Sequence, residues 1–171
     1  FDLAGSVNDR DGYVNNDNTG TRLNDHDRAS LRGQLVFTPN DTTYVRVIAD
    51  YDSIDEVCCG VNNIFQSDAE VFVNGLTGAE IYPNQPFSLN VLNNANPVNQ
   101  IDNSGISMQV DKDYGSSVLT SISSFRTVSS FSSIDVDFTS SDYLTNPINT
   151  EIDTFTQEFR LVSTGDDAIS W

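Results

Sequence analysis

Cys58 and Cys59 are the two cysteines of the chain; they are adjacent and followed by Gly60. Zinc centres draw on spaced thiolates and imidazoles, and His26 is the single histidine that could join this pair. No metal site is expected from them. In an oxidising compartment the two thiols have two outlets, a vicinal disulfide or bridges to cysteines outside this chain, and the vicinal disulfide is the expectation.

Carboxylates and serines are plentiful but lack the spacing that chemistry needs. Asp9, Asp11 and Gly12 sketch a calcium loop, yet Val7 would have to stand in the leading ligand position. Asn15, Asp17 and Gly20 sketch another, with His26 where a bidentate Glu belongs. Turn chemistry explains both strings. The serines between Ser116 and Ser133 have no histidine near them in sequence, and no Gly-x-Ser-x-Gly elbow occurs. So many carboxylates could be paired as a glycosidase acid and base that the pairing selects nothing. The expectation is a protein that is not an enzyme and holds no cofactor.

Four polar residues stand out for their neighbours instead. Arg32, Arg46, Glu158 and Arg160 each alternate with apolar residues, so each belongs to the wet side of a strand whose other side is greasy. Lining of a wall, salt-bridged along its surface, is the expected role, ahead of substrate contact.

The elements that would carry them are read from a period of two. Residues 29, 31, 33, 35 and 37 are apolar or small, and after the turn Pro39-Asn40-Asp41-Thr42-Thr43 the positions 45, 47, 49 and 51 continue the pattern. A hairpin with one continuous apolar face follows. Ile106, Met108 and Val110 open a second hairpin that turns at Asp113 to Ser116 and returns through Val118 to Thr127. Phe155, Phe159 and Leu161 mark a last strand, with a turn at Gly165 to Ala168 and Ile169 starting its partner. The polar connections at about 12–27, 52–104 and 129–152 are long, whereas the turns near 40, 115 and 166 are short, an asymmetry typical of up-and-down outer-membrane barrels. By that topology the stretch from Asp52 to Ser104 belongs at the opposite end from the short turns, with a short helix or hairpin at about 69–78.

Composition narrows the classes further. The 171 residues are 37% hydrophobic and 10% aromatic, enough for a folded β protein rather than a disordered tail. With 25 acidic residues against 8 basic ones the net charge is −17, which argues against nucleic acid as a partner. The acidic residues are expected in solvated loops. No apolar run approaches the roughly 20 residues of a membrane helix, but a membrane strand needs only about 9 to 11 residues with alternate ones apolar. The opening Phe1-Asp2-Leu3-Ala4-Gly5 lacks the features of an export signal and reads as the middle of a strand, and Ile169-Ser170-Trp171 reads as the opening of another, so a slice of a larger barrel is expected.

Several strings, in order, resemble the barrel of TonB-dependent receptors. They begin with Asp9-Arg10-Asp11-Gly12-Tyr13 and Asn18-Thr19-Gly20, then Leu23-Asn24-Asp25 and Arg28-Ala29-Ser30-Leu31-Arg32-Gly33-Gln34-Leu35. Phe37-Thr38-Pro39-Asn40-Asp41 and Val47-Ile48-Ala49-Asp50-Tyr51 follow. Leu119 to Arg126, Asp135 to Thr139 and Thr154 to Ser163 complete the succession. The resemblance implies an all-β, antiparallel, up-and-down transmembrane barrel of about 22 strands around a plug, with this chain supplying about six or seven strands from 1–171 and no plug. It further implies residence in the bacterial outer membrane among its lipids, import of a scarce nutrient such as a ferric siderophore, and energy from TonB acting through an N-terminal part outside these residues. The rival reading is a secreted, soluble β-sandwich for adhesion or carbohydrate binding, with acidic loops that hold calcium.

Overall fold

The computed structural model describes residues 1–82, 87–165 and 170–171. Its main feature is a six-stranded antiparallel sheet. The strands are β1 (Asp2–Arg10), β4 (His26–Asn40), β5 (Thr43–Glu56), β7 (Val98–Asp113), β8 (Ser117–Asp135) and β9 (Thr145–Ser163), each paired with the next in that order. A three-stranded sheet of β3 (Thr21–Leu23), β2 (Val14–Asn16) and β6 (Asn90–Val91) lies within the connections, together with the helix α1 (Asp68–Thr77). Among the described residues no helix is long and apolar enough to cross a membrane. β8 and β9 are 19 residues each, against a usual strand of about 5 to 6.

Opposed residues in an antiparallel ladder share a face, so the register fixes both sides of the sheet. One row runs Leu3, Gly33, Ala49, Ile106, Phe125, Phe155, and the next toward the short turns runs Leu35, Val47, Met108, Ser123, Gln157. Phe37, Val45, Val110, Ser121 and Phe159 form a third. The apolar set read from 29 to 49 thus lies on one face, which continues across all six strands. Among the described residues nothing covers that face: Leu35, Ile106 and Phe155 are 56%, 53% and 68% exposed. Among the described residues no second sheet packs on it as in a sandwich. Toward the long connections, over the next one to three rows, the same face turns acidic, through Asp153, then Asp102 and Glu151, then Asp9, Asp27 and Asp55.

Burial is concentrated elsewhere. Val14, Leu23 and Val91 form the cluster of fully buried apolar residues, with Val57 against it, all of them in or beside the connections. Three connections interlock there: Asn24 N donates to Val57 O at 2.8 Å, Asn94 N to Thr139 O at 2.8 Å, and Ser140 N to Glu80 O at 2.9 Å. The result is a cap of loops over one end of the sheet. At the other end the turns are tight. Asn40 Oδ1 accepts from Thr42 N, and Gly115, at φ 88°, supplies the left-handed residue that the next turn requires. Asp113 N donates to Thr42 O and Thr164 N to Ser116 O, which places these turns side by side, opposite the 57–97 connection.

The strands run further than their alternation suggests. β7 starts at Val98, inside the stretch read as a connection from 52 to 104, and β8 continues to Asp135 beyond the expected end near 127. There the pattern is lost because the apolar residues, Val98 and Ile101 and then Val128, Phe131 and Ile134, are spaced by three and fall on both faces. Asp102 and Asp135, expected in loops, accordingly sit on these extensions, as Asp52, Asp55, Glu56 and Glu151 sit on β5 and β9. The helix at 68–77 is capped by Ser67, whose side chain accepts from Glu70 N, and by Gly78 at φ 75°, yet none of its residues is buried. The residues from Asp166 to Ile169, and with them most of the last expected turn and the start of its partner strand, lie outside those described. Trp171 N does donate to Ser163 Oγ at 2.9 Å, so the chain comes back to the edge of β9.

Candidate functional site

The polar face holds the arginines of the main sheet. All six arginines of the main sheet, at 10, 28, 32, 46, 126 and 160, share it, because each occupies the parity opposite to the apolar rows. One row runs Ala4, Arg32, Asp50, Gly105, Arg126, Thr154. Arg126 reaches over the strand between it and β5, and its Nη2 donates to Asp50 Oδ2 at 2.7 Å and Oδ1 at 2.9 Å. Its Nη1 donates to Asn103 Oδ1 at 2.6 Å. That reach needs a residue without a side chain in the path: a Cβ on Gly105 would stand 2.6 Å from Arg126 Nη2.

The four residues selected from sequence lie on this one face but do not converge. Arg160 pairs with Glu158 on its own strand at 2.5 Å. Arg46 Nη2 donates to Gln109 Oε1 at 2.8 Å, and Gln109 is in turn held by Asp111. Arg32 stands opposite Asp50, whose carboxylate is already taken by Arg126, and among the described residues neither Arg32 nor Arg46 forms an ion pair. Arg126 was not selected, since its strand reads as mixed on both faces. The signal that could have found it is Gly105, a glycine inside a strand, which marks a close approach by something else.

A second polar cluster sits at the cap end of the same face, beyond the apolar band. Glu56 is buried; Arg28 Nε donates to its Oε1 at 2.5 Å, Arg28 Nη2 to its Oε2 at 3.1 Å, and His26 Nδ1 lies 2.8 Å from Oε1. The Arg28 hydrogen bonds hold the Glu56 carboxyl below its ordinary range against the opposing effect of burial, with His26 adding to the downward shift. Above it, Tyr82 donates to Asp17 Oδ2 at 2.6 Å, and this bond to a carboxylate raises the phenol above its usual value.

The two strings that sketched calcium loops are absorbed by structure. Asp9 lies in β1 opposite Asp27, Gly12 packs on the backbone of Arg22 and Leu23, and Asp17 receives Tyr82. Among the described residues no three His, Cys, Asp or Glu side chains gather where a metal could sit. Cys58 and Cys59 are bonded to each other, at the point where β5 leaves the sheet.

One face of the sheet is thus ion-paired and hydrogen-bonded, and the other carries an exposed apolar band. Comparison of the chain with protein-family models, with curated proteins and with solved structures finds no match in any of the three.

Proposed function

We propose that this chain is part of the wall of an outer-membrane β-barrel of the TonB-dependent receptor kind, whose work is to import a scarce nutrient such as a ferric siderophore. The observation that carries the reading is the uncovered apolar face. Across six strands it is continuous, it backs a face that holds every arginine of the sheet, and it ends in an acidic band on the side of the long connections. From Val45 to Tyr51 on β5 the apolar stretch measures roughly 20 Å along the strand, and from Ala29 to Phe37 on β4 roughly 27 Å, against about 25 Å for the apolar girdle of such barrels.

Total surface argues the same way. A compact chain of 18.8 kDa exposes about 8,300 Å². This one exposes 11,089 Å². The excess is on the order of 2,800 Å², and lipid together with neighbouring barrel strands would remove it. In this reading β1 and β9, which are opposite edges of an open sheet, continue into further strands, because an unpaired edge of 19 residues in hydrocarbon would strand its backbone groups. The polar face lines the lumen, with Arg32, Arg46, Glu158 and Arg160 among its residues, and TonB acts on a plug rather than on these strands.

Single cysteines introduced at Leu35, Met108 and Phe155, and at Arg46, Ser107 and Thr156 on the reverse face, test it in membranes of cells making the protein. The first three should react with a thiol reagent confined to lipid and resist a charged water-soluble one, and the second three should do the opposite. Ready labelling of Met108 and Phe155 positions by the charged reagent would sink the membrane reading.

A further inference from the structure

The disulfide sits in a clamp. On one side of it Val57 N donates to Asp25 Oδ1 at 2.7 Å and Val57 O accepts from Asn24 N at 2.8 Å. On the other side Gly60 N donates to Asn24 Oδ1 at 2.7 Å, and Asn24 Nδ2 returns to Gly60 O at 3.3 Å. Arg10 Nη2 in turn donates to Asn24 O at 3.1 Å. A single two-residue segment, Asn24-Asp25, therefore grips the chain immediately before and immediately after the Cys58–Cys59 bond.

The same short stretch is pressed onto the buried core of the cap. Val57 packs against the Val14, Leu23 and Val91 cluster, and a Cβ on Gly60 would stand 2.8 Å from Leu23 Cδ1, so the backbone itself lies on the fully buried Leu23. Beyond Gly60 the connection runs out to α1 and its exposed Val71, Phe72 and Leu76 before returning to the cap at β6. Both grips hold only while the four residues from Val57 to Gly60 keep one shape. A bond between adjacent side chains removes torsional freedom from the two middle residues, and opening it returns that freedom.

We propose that Cys58–Cys59 is a site of reversible thiol–disulfide exchange, with a dithiol as its substrate, that latches the base of the long connection to the first one. In the opening reaction a thiolate of the dithiol attacks one sulfur, the Cys58–Cys59 bond breaks, and a mixed disulfide forms. The second thiol of the reagent then displaces the protein sulfur. Two electrons and two protons have passed to the protein, which carries two thiols, and the reagent leaves as its own disulfide. Cys59 is exposed, which gives the attacking thiolate a path. Released, Gly60 loses its register with Asn24, and among the described residues the connection from 61 onward is then held to the rest of the cap through Glu80, Tyr82 and β6 rather than at its base. The latch is a property of the cap and is independent of what covers the apolar face.

The test compares amide hydrogen exchange in the intact protein, held in detergent, before and after a small dithiol reductant, with thiols counted by alkylation at each stage. Reduction should raise the thiol count by two and speed exchange at Asn24, Val57 and Gly60 by about tenfold or more, while Asp113 at the opposite end keeps its rate. Cys58→Ser with Cys59→Ser should exchange fast without reductant and ignore it. Asn24→Ala should free Gly60 with the disulfide still closed. Unchanged exchange once two thiols have appeared would overturn the proposal, as would two thiols in the untreated protein or an equal acceleration at Asp113.

Discussion

Gly105 has no side chain because the guanidinium of Arg126 lies where one would start, and this makes the position a sensitive gauge of the polar wall. Valine is favoured in strands where glycine is not, so any cost of Gly105→Val is steric and appears against an opposing gain in strand propensity. Arg126 must swing away and give up Asp50, and the lost ion pair should cost up to about 1 kcal/mol in denaturant unfolding from detergent. In an Arg126→Ala background most of that cost should vanish, because the crowding partner is gone. Glu56 offers a different gauge. Its folded carboxyl titrates below the unfolded one, so its contribution is fully present above the ordinary carboxylate range and is lost as pH falls through the folded value. Protection of the Val57 N–H, taken relative to its intrinsic exchange rate at each pH, should therefore fall on acidification below that range, and Glu56→Gln should flatten the dependence. A pH profile identical in the two proteins would show that Arg28 and His26 give Glu56 no special role.

Among the elements, β7 tests the two faces against each other within consecutive residues. Ile106 lies in the apolar row between Ala49 and Phe125, and Ser107 in the polar row between Ile48 and Ser124. In a bilayer Ile106→Arg should cost about 2–4 kcal/mol by folding from denaturant into vesicles, whereas Ser107→Arg should be close to neutral. Equal costs would mean that the strand has no lipid side. These faces were legible in the sequence wherever apolar and polar residues alternate, as from Ala29 to Phe37. Alternation fixed which side of β4 and β5 each residue takes, and the short turns at Asn40 and Gly115 announced themselves by composition. Strand ends were not legible where apolar residues recur every third position and so fall on both faces, as from Val98 to Asn103 and from Val128 to Asp135. Nor was the Arg126–Asp50 pair, since a contact that skips a strand depends on the order of three strands, which no local pattern carries. The small sheet β3-β2-β6 joins residues some 75 apart by two- and three-residue ladders, too short to leave a period.

At the scale of the whole molecule, a sheet whose apolar face is bare cannot be stable in water. Residues 1–171 made in aqueous buffer should aggregate despite a net charge of −17, and should disperse on addition of detergent. A monodisperse monomer that unfolds cooperatively in plain buffer would show that the chain finds a partner for that face within itself, and would return the reading to a soluble β domain. The length of β8 has a consequence of its own. After Thr127 its apolar side turns polar, yet the ladder runs on to Asp135, roughly 26 Å more. Within a bilayer one strand would then obey two solvents. Lipid chain length would act on the half that begins at Leu119, while urea and acid would act first on the half that ends at Asp135. Because the same backbone hydrogen bonds join the halves, a change in bilayer thickness would be felt as tension at the foot of the cap.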